Sequence, residues 1–229
     1  MYKIAIDGPG GAGKSSVAKA VAAALRITYV DTGALYRTIG LYVKKCETDP
    51  RDAAAVIALL PKIKIELTYR DGEQYILLDG KDVGDKIRTQ EISMYASAVS
   101  AIPEVRDFLL ATQRNIAQKQ SVIMDGRDIG TVIFPDADVK IFLTASAENR
   151  AERRYKELRE RGVDADYQLI LEEIKTRDHN DSTRAVAPLK QADDAILLDN
   201  TGYTLTESVA AVMRIIDNKL AGRADYEKK

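Results

Sequence analysis

Gly8-Pro9-Gly10-Gly11-Ala12-Gly13-Lys14-Ser15 follows the short apolar run Tyr2-Lys3-Ile4-Ala5-Ile6-Asp7 and precedes Ser16-Val17-Ala18-Lys19-Ala20-Val21-Ala22-Ala23-Ala24-Leu25. The loop fits the phosphate-binding pattern of Gly, any four residues, Gly, Lys, then Ser or Thr. Its glycines let successive backbone N–H groups turn inward around an anionic phosphate chain. Lys14 can reach the outer phosphates, and the Ser15 hydroxyl is a ligand for Mg²⁺. The preceding run reads as a strand and the alanine-rich segment as a helix. The loop therefore lies at a helix N-terminus, whose partial positive charge adds to the same site. A strand, a phosphate-holding loop and a helix in this order point to an α/β fold.

Working outward, short apolar segments alternate with helical stretches, as in a parallel sheet covered on both faces. Five strand candidates stand out: Tyr2 to Asp7, Thr28 to Val30, Ser121 to Asp125, Val139 to Leu143 and Ala195 to Leu198. In such a sheet the ligand lies beyond the carboxyl ends of the strands, so the loops after Asp7, Val30 and Asp125 are expected to converge. One stretch breaks the alternation. Lys62-Ile63-Lys64-Ile65-Glu66-Leu67 has period two, and Tyr75-Ile76-Leu77-Leu78 lies between the turn signals Asp71-Gly72 and Asp79-Gly80. This predicts a small antiparallel insert over 61–84 on a core formed by 1–60 and 85–229. Pro103 suits the first turn of a helix running to about Lys119, and Glu148 to Arg161 reads as a second, highly charged helix.

Composition narrows the partners. The chain has 229 residues, 45% of them hydrophobic, enough for one sizeable core and a small insert. Lys and Arg total 34 against 35 Asp and Glu, a balance that argues against a nonspecific nucleic-acid binder and for a small partner. No apolar run approaches a membrane span, and no basic segment precedes an apolar leader, so the expected place of action is the cytoplasm. Cys46, the single cysteine, cannot form an internal disulfide and is expected to be a buried small apolar residue. His179, the single histidine, is expected in an exposed loop.

The phosphate loop implies a nucleoside triphosphate without saying whether it drives a switch or donates a phosphoryl group. A guanine-reading Asn-Lys-x-Asp is missing, since the one Asn-Lys, Asn218-Lys219, continues Leu220-Ala221. A phosphoryl-transfer enzyme needs a second anion site rich in arginine. Asp31-Thr32-Gly33-Ala34-Leu35-Tyr36-Arg37 supplies one candidate, with Thr32 and Gly33 at a helix start and Arg37 about a turn and a half into the helix. Ile123-Met124-Asp125-Gly126-Arg127-Asp128-Ile129-Gly130-Thr131 supplies another, where Asp125 can order a metal-bound water and Arg127 and Asp128 lie just beyond the strand. A third is Arg177-Asp178-His179-Asn180-Asp181-Ser182-Thr183-Arg184-Ala185-Val186-Ala187-Pro188-Leu189, which combines arginines, carboxylates and turn residues. Each of these charged residues, taken alone, also fits a solvated surface.

Taken together, six segments resemble the bacterial cytidylate kinase family, and they span almost the whole chain. They are Gly8 to Ser16, Asp31 to Arg37, Ile87-Arg88-Thr89-Gln90-Glu91, Asp125 to Thr131, Phe134-Pro135-Asp136-Ala137, and Arg184 to Leu189. The first is shared by many phosphate-loop proteins; the later ones in this order are specific to the family. The resemblance implies a P-loop kinase core with a five-stranded parallel sheet flanked by helices, a small antiparallel β insert in the monophosphate-binding region, and a helical lid at about 148–162. It implies transfer of the γ-phosphoryl group of ATP to CMP or dCMP with Mg²⁺, and it favours a monomer acting on small substrates, with no nucleic acid and no membrane.

Carried onto matching residues, the resemblance assigns Gly8, Pro9, Gly10, Gly11, Ala12, Gly13, Lys14, Ser15 and Ser16 to ATP, with Ser15 and, through water, Asp125 at the metal. Arg37, Arg127 and Arg184 are expected at the acceptor phosphate, Arg177 and Asp181 near its ribose, and Ser97, Arg106 and Asp128 at cytosine, with Thr32 near base or sugar. Cytosine offers an amino donor beside two acceptors, which a carboxylate plus an arginine or hydroxyl matches. Lys14, Arg127 and Arg184 are expected to carry catalysis, joined by Arg153 and Arg154 from the lid. The alternative for the lid helix is Glu152–Lys156 and Arg153–Glu157 surface pairing. Two rivals are a kinase of the same core acting on a metabolite hydroxyl, with Asp31 or Asp128 as base, and a nucleotide switch binding a protein through the insert or the charged helix.

Overall fold

A computed structural model describes residues 1–70, 73–118 and 120–224. The chain order begins β1 (Lys3–Asp7), α1 (Lys14–Leu25), β2 (Thr28–Asp31), α2 (Thr32–Lys45) and α3 (Ala53–Leu59). Next come β3 (Ile65–Arg70), β4 (Glu73–Leu78), β5 (Lys81–Asp82), α4 (Gln90–Val99) and α5 (Pro103–Ile116). The last elements are β6 (Val122–Gly126), β7 (Val139–Thr144), α6 (Ala147–Glu160), α7 (Tyr167–Thr183), β8 (Ile196–Asp199) and α8 (Leu205–Ala224). All five strand candidates form, within a residue of their expected ends, one sheet in the order β2-β6-β1-β7-β8. The meander forms a separate antiparallel sheet in the order β3-β4-β5. The fold class read from the sequence, a parallel sheet flanked by helices plus a small antiparallel sheet, is the one observed.

Contacts within the chain divide it into two compact units. The first comprises Met1–Ile27 and the chain from Ile123 onward, and the second Thr28–Val122. In the first, β1 runs parallel to β7 with Ile4 opposite Val139 and Ile6 opposite Ile141, and β7 runs parallel to β8. Ile4, Ile6, Ile141 and Leu143 are fully buried, as are Val17 and Val21 of α1. Near-continuous apolar strands of this kind belong to a sheet covered on both faces. The pair α6 and α7 has its own small core of Ala151, Ile170 and Leu171, with Tyr155 edge-on to Tyr167 at 6.3 Å. Between Ala151 and Ile170 no residue is buried.

The second unit is built on one cluster that joins Leu35, Ile39 and Val43 of α2 to Val99 of α4, Val105 and Leu109 of α5, and Ile76 and Leu78 of β4. The insert therefore shares the core of the helices beside it. The turn between β4 and β5 uses Asp79 and Gly80, both at positive φ (52° and 74°), the geometry that an Asp-Gly hairpin adopts. Asp71-Gly72, the other turn signal, lies outside the described residues.

Caps account for the helix starts. Asp31, Asp52, Thr89, Ser146 and Asp166 each accept a first-turn N–H from α2, α3, α4, α6 and α7 respectively, and Pro103 opens α5. Three expectations are corrected. The helix from Pro103 ends at Ile116, short of Lys119, which is itself outside the described residues. His179 is exposed but sits on α7, because the helix capped by Asp166 continues to Thr183. Cys46 is exposed, because it occupies the C-cap of α2, where the chain leaves the core and its N–H turns back to Tyr42 and Val43.

At Gly40 of α2 a Cβ would lie 3.0 Å from both the Ala96 nitrogen and the Tyr95 Cβ of α4. Gly40→Ala gains about 1 kcal/mol of helix propensity, whereas overpacking a tight contact costs about 1–3 kcal/mol. The substitution is expected to destabilise by about 1 kcal/mol in urea unfolding; a stabilised protein would show that the α2–α4 contact is looser than this geometry.

Candidate active site

In the first unit the loop Gly8–Gly13 is forced into shape by its neighbours. Gly8 has φ 149°, and a Cβ there would lie 1.9 Å from the Leu143 carbonyl oxygen, so only glycine fits. Gly13 caps α1 at φ 85° with no side-chain hydrogen bond, which leaves the first-turn N–H groups for an anion. Lys14, buried to 5% exposure, donates from Nζ to the Pro9 carbonyl at 2.8 Å and is held over the loop. The Ser15 Oγ donates to Asp125 Oδ2 at 2.9 Å. A hydroxyl and a carboxylate brought together beside a phosphate loop are hard oxygen donors of the kind Mg²⁺ takes, so these residues fit that ion.

Four arginines surround the loop. A Cβ at Gly10 would lie 3.3 Å from Arg127 Nη2 and 3.4 Å from Arg177 Nη1, one at Gly11 would lie 3.5 Å from Arg150 Cβ, and one at Gly13 would lie 3.9 Å from Arg153 Nη1. Carboxylates hold Arg127, Arg150 and Arg177 there. Arg127 Nε donates to Asp181 Oδ2 at 2.8 Å, with Arg177 Nε 4.0 Å from the same oxygen. Arg184 Nη2 lies 3.8 Å from Asp128 Oδ1, and Arg184 Nε donates to the Ala187 carbonyl at 2.7 Å. Burial works to raise the Asp181 carboxyl, but Arg127, Arg177 and Arg184 outweigh it and keep it below its usual range. The Arg127 guanidinium is disfavoured by burial, yet Asp181, Asp125 and Asp178 raise its affinity for the proton.

The first unit thus brings together Gly8 to Ser16, Asp125, Arg127, Asp128, Arg177, Asp181 and Arg184. Arg153 does not form the alternative surface pair with Glu157: its Nη2 donates to the carbonyls of Asn200 at 2.9 Å and Tyr203 at 3.2 Å. Arg154 pairs with Glu157 at 2.9 Å, and Glu152 with Lys156 at 3.1 Å. The second unit carries the remaining candidates. Arg37 Nη2 donates to Asp31 Oδ2 at 2.8 Å, and Thr32 is buried in the first turn of α2. Arg106 is buried, donates to the Ser100 carbonyl at 3.2 Å, and lies 5.5 Å from the Tyr36 ring centre. Ser97, half-buried, accepts the Ser100 hydroxyl on its carbonyl at 2.8 Å.

Several residues at the loop carried no role in the sequence reading. Asp7 takes the N–H groups of Ile129 and Gly130 on its two carboxylate oxygens, both at 2.7 Å, and so ties the end of β1 to the segment after Asp128. Burial pushes its carboxyl up to about 7 against the pull of those donors. Arg150 makes a fork to Asp178, with Nη1 to Oδ1 at 3.1 Å and Nη2 to Oδ2 at 2.5 Å, and also donates to the Gly10 carbonyl at 2.9 Å. Asn200 Nδ2 donates to the Ala12 carbonyl at 3.1 Å and to Ser208 Oγ at 3.2 Å. The one signal that marks Arg150 is its place four residues after the Ser146 cap, which puts it in the first turns of α6; nothing in the sequence marks Asn200.

A sequence model of the family described as cytidylate kinase matches residues 4–218. The cytidylate kinase of Caldicellulosiruptor bescii is 50% identical over 212 residues, covering 93% of this chain and 94% of that one. The cytidylate kinase of Lactobacillus gasseri is 47% identical, covering 96% and 95%. A solved structure of an uncharacterized protein from Eubacterium ventriosum has a TM-score of 0.53 at 14% identity, covering 95% of this chain and 99% of that one, and shares the fold.

The electrostatics of Lys14 have a measurable consequence. Burial, with Arg127 and Arg177, pushes its ammonium down to about 7, against Asp125 and Asp7. A phosphate chain at the loop favours the charged amine, so binding raises this pKa and takes up a proton at pH values above it. Calorimetry of ATP binding at about pH 8, in buffers of different ionisation enthalpy, is expected to show uptake approaching about one proton per nucleotide, lost in Lys14→Met. Proton-neutral binding would mean that Lys14 is already charged.

Proposed function

The chain belongs to the cytidylate kinase family, and we propose that the loop, its arginines and Asp128 divide the work of the transfer between donor, acceptor and base. The protein is an enzyme that transfers the γ-phosphoryl group of ATP to CMP or dCMP, giving ADP and CDP or dCDP. The observation that carries the division is the ring of Arg127, Arg150, Arg153 and Arg177 around Gly10–Gly13, with Arg127, Arg150 and Arg177 tied to Asp178 and Asp181.

In this reading Gly8 to Ser16 hold the ATP phosphates. An oxygen of the acceptor phosphate attacks the γ-phosphorus in line, and the bond to the oxygen bridging to the β-phosphate breaks, leaving ADP. The attacking oxygen is already anionic, so no general base is needed and the protein supplies alignment and charge stabilisation. That removes the reason to use Asp31 or Asp128 as a base for a hydroxyl. Lys14 follows the charge as it moves onto the γ and bridging oxygens, and Arg127 and Arg184 hold the acceptor phosphate. Arg37 serves the same phosphate from α2, and Arg177 and Asp181 meet the ribose. Ser97, Arg106 and Asp128 read cytosine, with Thr32 near base or sugar. Arg153 meets the transferring phosphates from α6; Arg154 joins it after leaving Glu157. Mg²⁺ would be held by Ser15 and, through water, Asp125, and supplies neutralisation of phosphate charge when bound.

Asp128 accounts for base choice. A carboxylate accepts from the cytosine amino group, whereas uracil sets an acceptor oxygen against it and leaves the pair repelling. The reading extends to a monomer acting in the cytoplasm on small substrates alone. Its supports are the balanced charge and the absence, among the described residues, of a helix long and apolar enough to cross a membrane.

Two measurements test the reading. ADP formation against CMP, dCMP, UMP, AMP, GMP and shikimate, with products identified, is expected to be strong for the two cytosine nucleotides alone. In that assay Asp128→Ala raises KM for CMP by about 10–100-fold and leaves KM for ATP within about two-fold; equal losses for both substrates would remove Asp128 from the base site. Lys14→Ala, folded by circular dichroism, is expected to lose at least about 100-fold in kcat. Near-normal turnover would sink its catalytic role.

A further inference from the structure

We propose that Gln74, in the β insert, is a positioning residue for the acceptor nucleotide, acting through Asp31 on Arg37. Its carboxamide does what a neighbouring strand would do. The Asp31 N–H donates to Gln74 Oε1 at 2.8 Å, and Gln74 Nε2 donates back to the Asp31 carbonyl at 3.4 Å. One side chain thus satisfies both backbone groups of the last residue of β2, as a paired residue does in a ladder. Tyr69 of β3 adds a second tie, its hydroxyl donating to the Tyr29 carbonyl at 3.4 Å.

Asp31 links the insert to Arg37. Its Oδ1 accepts the Ala34 N–H at 2.9 Å and so sets where α2 starts, while its Oδ2 takes Arg37 Nη2 at 2.8 Å. Both partners of this ion pair are mostly buried, at 11% and 19% side-chain exposure. There is little slack around them: a Cβ on Gly33 would lie 3.0 Å from Arg37 Nη1 and 3.2 Å from Asp31 Oδ1. Fixing the Asp31 backbone therefore fixes the carboxylate, and the carboxylate fixes the guanidinium. Arg37 reaches its ligand already ordered, which spares the entropy of immobilising a long side chain on binding. Loss of the amide leaves the core cluster intact, because Ile76 and Leu78 rather than Gln74 seat the insert.

This inference rests on the reading that Arg37 grips the acceptor phosphate, and the experiment separates the two. Gln74→Leu, Arg37→Met and the double variant are compared in steady-state kinetics with CMP and ATP, with thermal melts as the folding check. The expected result is a KM for CMP raised about 5–20-fold by Gln74→Leu, with kcat and KM for ATP within about two-fold. In the double variant Gln74→Leu is expected to add less than about two-fold to Arg37→Met, since both act through one contact. Gln74→Glu keeps the acceptor for the Asp31 N–H and is expected to recover part of the loss. An Arg37→Met effect on KM for CMP without a Gln74→Leu effect overturns the inference and leaves the Arg37 reading standing. An unchanged KM for CMP in Arg37→Met overturns that reading and the inference with it. Additive effects in the double variant, or equal losses of kcat and affinity for both substrates, show that Gln74 is merely structural.

Discussion

Buried guanidinium groups gathered around one loop repel each other unless carboxylates sit among them, and the architecture of the first unit answers that constraint. Arg127 and Arg177 share Asp181, and Arg150 takes Asp178 in a fork. The two carboxylates lie three residues apart on α7, so one helix face carries both counterions. The result is a cationic collar that is stable in its own right and still complementary to a polyphosphate. Lys14 holds its proton loosely chiefly because it is buried, and the positive field of Arg127 and Arg177 adds to that effect.

The same pairing sets the timing of charge in the reaction. Phosphoryl transfer moves negative charge rather than protons, so groups that are ordered beforehand stabilise it without reorganising. A collar of free arginines would have to be ordered by the substrate; one already tied to Asp178 and Asp181 does not. Arg150 extends this economy to the loop backbone, since the guanidinium that meets Asp178 also takes the Gly10 carbonyl. Asp7 does the equivalent for the segment after Asp128, tying Ile129 and Gly130 to the strand that leads into the loop. The phosphate loop and the segment after Asp128 are therefore each tied down by side-chain hydrogen bonds to the backbone.

Much of this was legible in the sequence, and the parts that were not share a cause. The loop, the five strands and the insert announce themselves through glycine spacing, apolar runs and Asp-Gly turns, which are local signals. The stretch Arg177 to Thr183 reads as charged and turn-like, and the helix that contains it is set by Asp166, well upstream, and by Ile170 and Leu171, which pack against Ala151. Arg150 and Asp178 are charged residues on helices, a pattern that surface positions also show; only the tertiary fold turns one of them inward to 4% exposure. Cys46 erred the other way, because burial statistics for cysteine say nothing about a residue at a helix C-cap. Resemblance across ordered motifs supplied the substrate, which no single motif specifies.

The insert is where local legibility and function part most clearly. Its turn and alternation predict an antiparallel sheet, and a β-ribbon decorating an edge would show the same pattern. What makes it more than decoration is the burial of Ile76 and Leu78 in the cluster that holds Leu35 and Ile39 of α2 and Val105 and Leu109 of α5. Arg37 projects from the first of those helices and Arg106 from the second. Close-packed cores transmit displacement because neighbouring side chains have nowhere else to go. A shift of β4 against that cluster is therefore felt at both arginines at once, and Gln74 adds a polar tie to the one nearer the helix start. Sequence change in the insert therefore has a physical route to Arg37 and Arg106.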